Sequence, residues 1–417
     1  MEFYITHTRG VPGRTKATPD DFRVSEISDY PLPDPDGEFI VLRVESRDWE
    51  QHELGLAIAR TLGLPTSSIH WAGTKDRRAV TERLLSYRGP LPPTELGLPR
   101  VRVLDAYRAR DGLVLGRHFG NSFEVTVRDL EMRVEEALEA FRSTDHELRS
   151  VGCWPNFFGP QRFGEVRPVT HEVGRLLVRG DVAGAVETYL TARPPGTPDG
   201  VGDSARATFA ATHDVLRALR EFPSHYRFER SLLERLAQGE SPERAFRALS
   251  RELRLLFVHA FQALLFNRWL SERRAAGLPL NRPVPGDRIL RIGRDGTVRG
   301  QEGVPVASDN VAECADLVAR DGALLAGPLV GYGTPEIEGE PGRILRTILE
   351  RESVTRAMFR VEPAPEVASR GAWRPAVLPV PPIGMAGEET GVRFRFALPK
   401  GAYATVLLRE FLKSGAT

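Results

Sequence analysis

Lysine is almost absent from this chain of 417 residues, because only four of its 57 cationic side chains are lysines. Arginine and lysine are not interchangeable where a site needs a compact ammonium group, so each remaining lysine is a candidate for a specific role. The alternative is that the four lysines survive by chance at exposed positions, which lysine generally favours. Three of them lie in segments that stand out for other reasons, and these are Lys16, Lys75 and Lys400.

Cysteine and long apolar runs are also scarce. The two cysteines, Cys153 and Cys314, cannot form a framework of disulfides, which favours a reducing cytoplasmic compartment. No run approaches the roughly 20 apolar residues of a membrane span, and the N-terminus lacks the pattern of a signal peptide. No membrane is therefore expected as a partner. The nine histidines have no ligand-like spacing, so no metal is expected either. The net charge of +1 gives no general affinity for nucleic acid, so an RNA-binding surface would need local clusters of arginine.

The length of the chain favours two domains, and its patterns differ between the ends and the middle. Near the ends, the patterns predict strands over 38–45, 69–72, 122–128 and 392–397 and helices over 53–62, 134–141 and 402–413. From about 171 to 356 the pattern is mostly helical, with the longest helix predicted over 242–274. Loops rich in proline and glycine are expected at 194–196, 278–286 and 327–342. The sequence thus predicts an α+β fold in which residues 1–175 and 357–417 form one mixed domain around a largely helical insertion, 176–356.

Asp76 ends the string Gly73-Thr74-Lys75-Asp76 and is the strongest candidate for chemistry. The order of these residues excludes a phosphate-binding P-loop, which needs lysine directly after glycine and before serine or threonine. Asp76 is one carboxylate among three cations, Lys75, Arg77 and Arg78, which should keep it ionised and suit it as a nucleophile or base. The alternative is an ordinary surface turn with charge pairs.

Three further segments have compositions that suit an RNA site. Residues 16–26 begin a strand at Phe22, although an edge strand with charged neighbours would look the same. Residues 154–164 alternate aromatic side chains with amide, glycine and arginine, which suits a pocket that stacks a base, unless these aromatics are ordinary core residues. Residues 396–405 predict a strand, a turn and a helix that place Lys400 and backbone N–H groups at a helix start, where anions bind, although a well-formed helix entry would look the same.

Together these segments resemble one family, the TruD-type tRNA pseudouridine synthases. Residues 16–26 are similar to its N-terminal motif, 73–81 to its catalytic motif, 156–164 to its aromatic motif and 398–410 to its C-terminal motif. The motifs occur in the family's order, and the resemblance spans nearly the whole chain. It is weakest within the helical insertion, whose length resembles that of archaeal members.

The resemblance implies that the protein isomerises uridine to pseudouridine in tRNA, usually at position 13, without a cofactor or a metal. It implies a pseudouridine synthase catalytic domain with a mixed or antiparallel sheet, and it makes residues 176–356 an inserted TRUD domain. By resemblance Asp76 is the catalytic aspartate and Lys16 is its ion-pair partner. We also expect a monomer.

The resemblance also assigns residues that contact the RNA. Phe158 is the ring that stacks on the target base, Phe22 is a second aromatic wall, and Asn156 lies near Asp76 or the base. The remaining RNA-binding residues that we expect are Gln161, Arg162, Lys75 and Lys400.

Two other classes of function stay open at this stage. One is a tRNA-binding protein that has kept the fold and lost turnover, although an intact Asp76 argues against it. The other is a glycoside hydrolase with Asp76 and Glu82 as its two carboxylates, which must face each other within about 10 Å across an open cleft. We expect Glu82 on the strand or helix that leaves the motif, which disfavours this pair.

Overall fold

The structure is a computed structural model that describes residues 3–93, 95–164, 166–195, 200–293 and 296–413. The chain divides into two compact units. The terminal unit contains residues 4–154 and 379–413, and the inserted unit contains residues 155–378 together with Phe3. A unit built from both chain ends around an insertion is therefore confirmed, while the limits at 175/176 and 356/357 stay a prediction.

The first part of the terminal unit alternates strands with two helices. A 3₁₀ turn (Pro19–Asp21) precedes the first strand, and a short strand leads into the inserted unit. The strands are β1 (Phe22–Ile27), β2 (Phe39–Arg47), β3 (His70–Trp71), β4 (Val80–Arg88), β5 (Val101–Ala109), β6 (Gly120–Arg128) and β7 (Cys153–Pro155). The helices are α1 (Gln51–Thr61) and α2 (Val134–Val151).

The inserted unit is largely helical, as predicted, but it also contains a sheet that the sequence analysis missed. Its helices are α3 (Thr170–Val178), α4 (Val182–Thr191), α5 (Asp203–Thr212), α6 (Val215–Glu221), α7 (Arg227–Ala237), α8 (Pro242–Phe246), α9 (Arg251–Ala275), α10 (Val311–Ala319) and α11 (Gly339–Arg351). Its strands are β8 (Arg288–Ile292), β9 (Val298–Pro305), β10 (Ala323–Leu329) and β11 (Ala372–Pro375), and β12 (Val377–Pro379) leads out of the unit. The first four form an antiparallel sheet in the order β11-β10-β8-β9.

The chain then returns to the terminal unit with β13 (Gly384–Glu388), β14 (Gly391–Pro399) and α12 (Ala404–Leu412). Strands from both ends combine in one sheet with the order β13-β14-β6-β1-β4-β2-β5, and β3 pairs with β4. The pair β1–β4 is parallel, while the other pairs found among the described residues of this sheet are antiparallel. The mixed, mainly antiparallel sheet confirms the predicted fold class.

Helices cover the sheet of the terminal unit through apolar side chains. Phe141 of α2 contacts Phe394 of β14 edge to face at 5.0 Å, and Phe411 of α12 completes this cluster. Leu54 and Ile58 of α1 are fully buried in a second cluster with side chains of β2 and β4. The sheet is thereby fixed on a packed core, which gives a rigid support to the loops between its strands.

Most elements predicted at the two ends are confirmed, with ends shifted by a few residues and with α2 extending ten residues further. The single helix predicted over 242–274 is wrong, because the structure has two helices, α8 and α9. Ser250 separates them, and its side chain accepts a hydrogen bond from the backbone N–H of Leu253 at the start of α9. The loop predicted at 194–196 lies in part outside the described residues, since Gly196 is not among them.

No helix among the described residues is long and apolar enough to cross a membrane. Both cysteines are buried, and neither is part of a disulfide.

Candidate active site

Lys16 and Asp76 meet because of the one parallel pairing named above. Adjacent parallel strands begin at the same edge of a sheet, so the segments that lead into β1 and β4 are neighbours. Lys16 lies six residues before β1 and Asp76 four residues before β4. The Lys16 Nζ atom lies 3.6 Å from Asp76 Oδ2, and the two side chains are 14% and 22% exposed. The ion pair that the sequence predicted is therefore present and is accessible to a ligand.

Phe22 lies beside this ion pair, but it is only 1% exposed, so its role as an aromatic wall for the base stays a prediction. The Lys16 Nζ atom lies 4.4 Å from the centroid of the Phe22 ring, in the geometry of a cation–π contact. Lys16 also has a left-handed backbone with a φ of 54°, which is uncommon for a residue other than glycine. The surrounding contacts therefore hold Lys16 in a conformation that its own preferences disfavour.

Asp21 anchors the segment that carries Lys16. Its carboxylate accepts hydrogen bonds from the backbone N–H and hydroxyl of Thr18, and its Oδ1 atom lies 2.6 Å from Arg128 Nε. Burial acts to raise the pKa of Asp21, but the bonds from Thr18 and Arg128 outweigh it and hold the pKa below its usual value. On the other side, Arg78 Nη2 donates to the carbonyl oxygen of Ala17 at 2.9 Å. These bonds tie the Lys16 segment both to the sheet and to the loop of Asp76.

Lys75 points away from solvent, and this differs from the exposed RNA contact that its sequence position suggests. Its Nζ atom donates to Glu26 Oε2 at 2.7 Å, and the two side chains are 2% and 1% exposed. Burial lowers the pKa of the Lys75 ammonium, although Glu26 acts to raise it. A buried pair of this kind fixes the loop, so that Asp76, the next residue, contacts Lys16. The assignment of Lys75 to RNA binding stays a prediction.

The space around the Lys75 ammonium is tight, which explains Gly73. A Cβ atom at Gly73 would lie 2.9 Å from Lys75 Nζ and 3.1 Å from His118 Cε1, so no larger residue fits without movement. Burial lowers the pKa of His118, against the opposing effect of Glu26. Glu26 Oε1 and His118 Nδ1 are both buried without a hydrogen-bond partner among the residues that the structure describes. Glu26 and His118 are thus part of the site although the sequence analysis gave them no role.

Lys400 lies in the turn between β14 and α12. Its Nζ atom donates to the carbonyl oxygen of Gly116 at 2.8 Å, and its backbone N–H donates to Phe119. The helix begins at Ala404, so Lys400 lies four residues before it and not at the helix start where we expected it. Its role in RNA binding stays a prediction.

The aromatic motif forms a separate cluster in the inserted unit. The amide of Asn267 holds Phe158 from both sides, because its Oδ1 accepts from the Phe158 N–H at 2.8 Å and its Nδ2 donates to the Phe158 carbonyl at 3.0 Å. The Phe158 ring is 6% exposed and contacts Phe266 edge to face. The guanidinium carbons of Arg374 and Arg162 lie 4.0 and 5.3 Å from its centroid.

Asn156 belongs to the same cluster through Arg374. Its Nδ2 donates to the carbonyl of Pro375, and its Oδ1 accepts from Arg374 Nη2 at 2.8 Å. Gln161, by contrast, is exposed. No local pattern in the sequence connects this motif with Arg374, Phe266 and Asn267, because each is about a hundred residues or more away, and these residues were therefore not predicted.

The geometry bears on the glycoside hydrolase alternative and on metal binding. Glu82 lies on β4, the strand that leaves the motif, as expected, and it pairs with Arg43 on β2. Within the described ranges there is no group of three or more His, Cys, Asp or Glu side chains that could hold a metal ion. A reaction without a cofactor stays a prediction.

Comparisons with known proteins cover almost the entire chain. The model of the family described as tRNA pseudouridine synthase D (TruD) matches residues 1–411. A protein assigned as tRNA pseudouridine synthase D in Methanococcoides burtonii is 33% identical over 99% of this chain and 96% of its own length. The corresponding protein of Thermococcus onnurineus is 36% identical, over 98% of this chain and 97% of its own.

Among solved structures, a crystal structure of the protein assigned as tRNA pseudouridine synthase D in Methanosarcina mazei superposes with a TM-score of 0.82. It is 32% identical and covers 100% of this chain and 97% of its own. The four motifs, their order and these matches agree, and the chain belongs to the tRNA pseudouridine synthase D (TruD) family.

Proposed function

We propose that the protein isomerises uridine to pseudouridine in tRNA, at position 13, with Asp76 as the catalytic carboxylate. The observation that carries this proposal is the accessible ion pair between Asp76 and Lys16 beside the Phe22 ring, in a chain of this family. The protein acts in the cytoplasm as a monomer with tRNA as its partner, and residues 1–175 with 357–417 form its catalytic domain around the TRUD domain, 176–356.

The reaction exchanges one bond to the ribose for another. The bond between uracil N1 and ribose C1′ breaks, the uracil rotates, and a bond forms between C5 and C1′. The proton on C5 is lost and N1 gains a proton, so atoms and electrons balance without an oxidant, a reductant or a leaving group. We therefore propose that no cofactor takes part.

Asp76 has two routes open to it in this scheme. As a nucleophile it attacks C1′ and holds the ribose while the base rotates, and as a base it first removes a proton from the ribose. Both routes need an ionised carboxylate. Lys16 supplies a compact positive charge whose Nζ atom lies 3.6 Å from Asp76 Oδ2, so it can orient the carboxylate for either route.

The RNA must present the uridine outside its stack. Extruding a base costs a few kcal/mol, and stacking on an aromatic ring restores about 1–3 kcal/mol per base. We assign this stacking to Phe158, with Phe22 as the second aromatic wall. Because the Phe158 ring is 6% exposed, one of the guanidinium groups beside it has to move when a base stacks there.

The other assigned residues supply polar contacts and positive charge. Asn156 positions the base or the neighbouring backbone, and its amide is already held by Arg374. Contacts to the RNA come from Gln161, Arg162, Lys75 and Lys400. For Lys75 this requires that its bond to Glu26 opens, since its ammonium is buried.

The test is the substitution Asp76→Asn, which keeps the size of the side chain and removes its charge. We expect the release of tritium from C5-labelled uridine in tRNA to fall by about 10³-fold or more, because the reacting group is lost. Binding of tRNA and the free energy of unfolding should change by no more than about 0.5 kcal/mol.

A matched control is Asp129→Asn, an exposed aspartate of the same unit. It should release tritium at the wild-type rate. If Asp76→Asn also keeps the wild-type rate, the assignment of the catalytic carboxylate is wrong. If the wild-type protein binds tRNA but releases no tritium, the chain is a tRNA-binding protein without activity.

A further inference from the structure

A basic cavity lies in the inserted unit, where α7 turns into α8. Its volume is about 290 Å³, and its lining residues are Arg235, Glu240, Arg244, Arg247 and Ala248. The chain reverses direction between the two helices at Gly239, which has a φ of 81° and so favours glycine. The last turn of α7, one residue of α8 and the residues that follow α8 thus line the same concave surface.

The charges in this cavity do not balance. Glu240 pairs with Arg235, with 3.0 Å between Arg235 Nη1 and Glu240 Oε1. Arg244 and Arg247 are exposed, and neither has an ion-pair partner among the described residues. They are three positions apart along α8 and its end, a spacing at which like charges are neighbours and repel each other. The concave site thus contains two positive charges, those of Arg244 and Arg247, that no acidic side chain among the described residues neutralises.

The chemistry of the lining favours a phosphate group as the ligand. Guanidinium groups bind phosphate oxygens through two parallel hydrogen bonds, and a concave surface of one sign concentrates the field on a bound anion. Ala248 is the one apolar side chain in the lining, so the cavity offers little to an apolar ligand. A bound phosphate would also relieve the repulsion between Arg244 and Arg247.

We propose that Arg235, Arg244 and Arg247 form a site for the phosphodiester backbone of tRNA. This proposal rests on the proposed function, which makes tRNA the partner. The site holds one or two phosphates and reads no base, because contacts to phosphate fix the position of an RNA and carry no sequence information.

The test measures how the binding of tRNA depends on salt. Each phosphate contact releases counterions, so the slope of log Kd against log salt concentration falls by about 0.7–0.9 for each contact that is lost. In the double variant Arg244→Gln/Arg247→Gln we expect the slope to become less steep by about 1–2. The same loss should occur with a tRNA whose target uridine is replaced by cytidine, since no base is read.

The control removes the same charge elsewhere in the inserted unit. Arg220 and Arg227 are exposed and lie outside the cavity lining, so Arg220→Gln/Arg227→Gln should leave the slope nearly unchanged. An equal loss of slope in this control would show a general effect of charge and would overturn the site. Arg244→Lys/Arg247→Lys keeps the charge, so it should recover most of the slope while binding tRNA more weakly than the wild type.

Two further outcomes decide the source of the phosphate and the link to catalysis. Titration with pyrophosphate tests a small ligand: tight binding that the Gln variants abolish, with an unchanged tRNA slope, would overturn the assignment to RNA. In turnover, the Gln variants should raise KM and leave kcat unchanged. Because the binding measurement needs no turnover, failure of this site and failure of the proposed activity give different results.

Discussion

Among single residues, Phe158 is the one to which we have assigned stacking on the target base. Its backbone is held by the amide of Asn267 through two hydrogen bonds, and its ring lies against Phe266 and two guanidinium groups. A ring fixed in this way loses little side-chain entropy when a base stacks on it, because its freedom is already restricted. Little of its stacking energy is therefore lost to ordering the ring, and the main cost is the displacement of a guanidinium group from its face.

Replacing Phe158 by leucine tests this role. Leucine keeps an apolar side chain in the cluster but has no aromatic face, so we expect kcat/KM to fall by about 5–150-fold, which corresponds to about 1–3 kcal/mol of lost stacking. Single-turnover kinetics with labelled tRNA measure this loss directly. Alanine would be a poorer choice, because the cavity it creates costs about 3–5 kcal/mol of stability.

The neighbouring residue provides the control for Phe158. Phe157 is fully buried and packs edge to face on Phe3 at 5.3 Å, so its role is in the core. Phe157→Leu should lower the free energy of unfolding and leave the single-turnover rate of the folded protein unchanged. Equal rates for Phe158→Leu and the wild type would exclude stacking on this ring.

The residues that could be predicted from the sequence are those that the composition makes conspicuous. Lys16 and Asp76 were found because lysine is rare here and because both lie in short, recognisable segments. Glu26 was not assigned to Lys75, since nothing local indicates which of many carboxylates pairs with a buried ammonium. Asn267 is 109 residues from Phe158, and only the fold brings them together.

At the scale of elements, the 3₁₀ turn before β1 determines where Lys16 lies. Asp21 ends this turn, and its buried carboxylate bonds to Thr18 within the turn and to Arg128 on β6. Arg14 exchanges backbone hydrogen bonds with Arg128 as well. The turn is thus tied to the sheet by one carboxylate that is ionised in the folded protein.

The substitution Asp21→Asn should therefore destabilise the protein in a manner that depends on pH. The folded pKa of Asp21 lies below its unfolded value of about 3.9, so its stabilisation is fully present above that value and is lost as the pH falls through the folded pKa. We expect the free energy of unfolding to fall by about 1.5–3 kcal/mol at pH 7, the usual contribution of hydrogen bonds to a charged group. The difference from the wild type should shrink steadily below about pH 4.

Urea unfolding at several pH values between 7 and 3 measures this difference. The adjacent residue is a suitable control, because Asp20 is 48% exposed and its ion pairs within the described part of the chain are surface contacts with Arg23 and Arg47. Asp20→Asn should cost less than about 1 kcal/mol at any pH. A loss for Asp21→Asn that stays constant from pH 7 to pH 3 would show that the charge of Asp21 has no part in the anchor.

The elements that the sequence did not predict have identifiable physical causes. β9 contains Gly300 and Gly303, which both have positive φ, so its backbone is irregular and its sequence lacks the alternation of a strand. β10 is buried along most of its length, and a short apolar run of this kind cannot be told from a buried helix by periodicity. The division of α8 from α9 depends on Ser250 as a cap, a signal that lies inside an otherwise helical pattern.

At the scale of the whole molecule, the near-neutral charge places a condition on how tRNA is bound. With a net charge of +1, long-range attraction is weak, and affinity has to come from local groups such as the arginines of the cavity between α7 and α8. Phosphate contacts carry no sequence information, so the selection of one uridine would depend on the shape of the tRNA and on whether its base can reach the proposed catalytic residue, Asp76. Contacts to distant parts of the tRNA should therefore contribute to binding, and through KM to kcat/KM.

A truncated substrate tests this condition. A hairpin that contains the target uridine but lacks the rest of the tRNA loses phosphate contacts, so we expect its binding to depend less steeply on salt than that of the full transcript. Its kcat/KM should be at least about tenfold lower, because the affinity that remote phosphate contacts supply is lost and KM rises. The Arg244→Gln/Arg247→Gln variant, which lacks some of these contacts already, should discriminate less between hairpin and full tRNA than the wild type does. Equal efficiency and equal salt slopes on both substrates would mean that the protein recognises only the nucleotides around the target, and the inserted unit would then need another role.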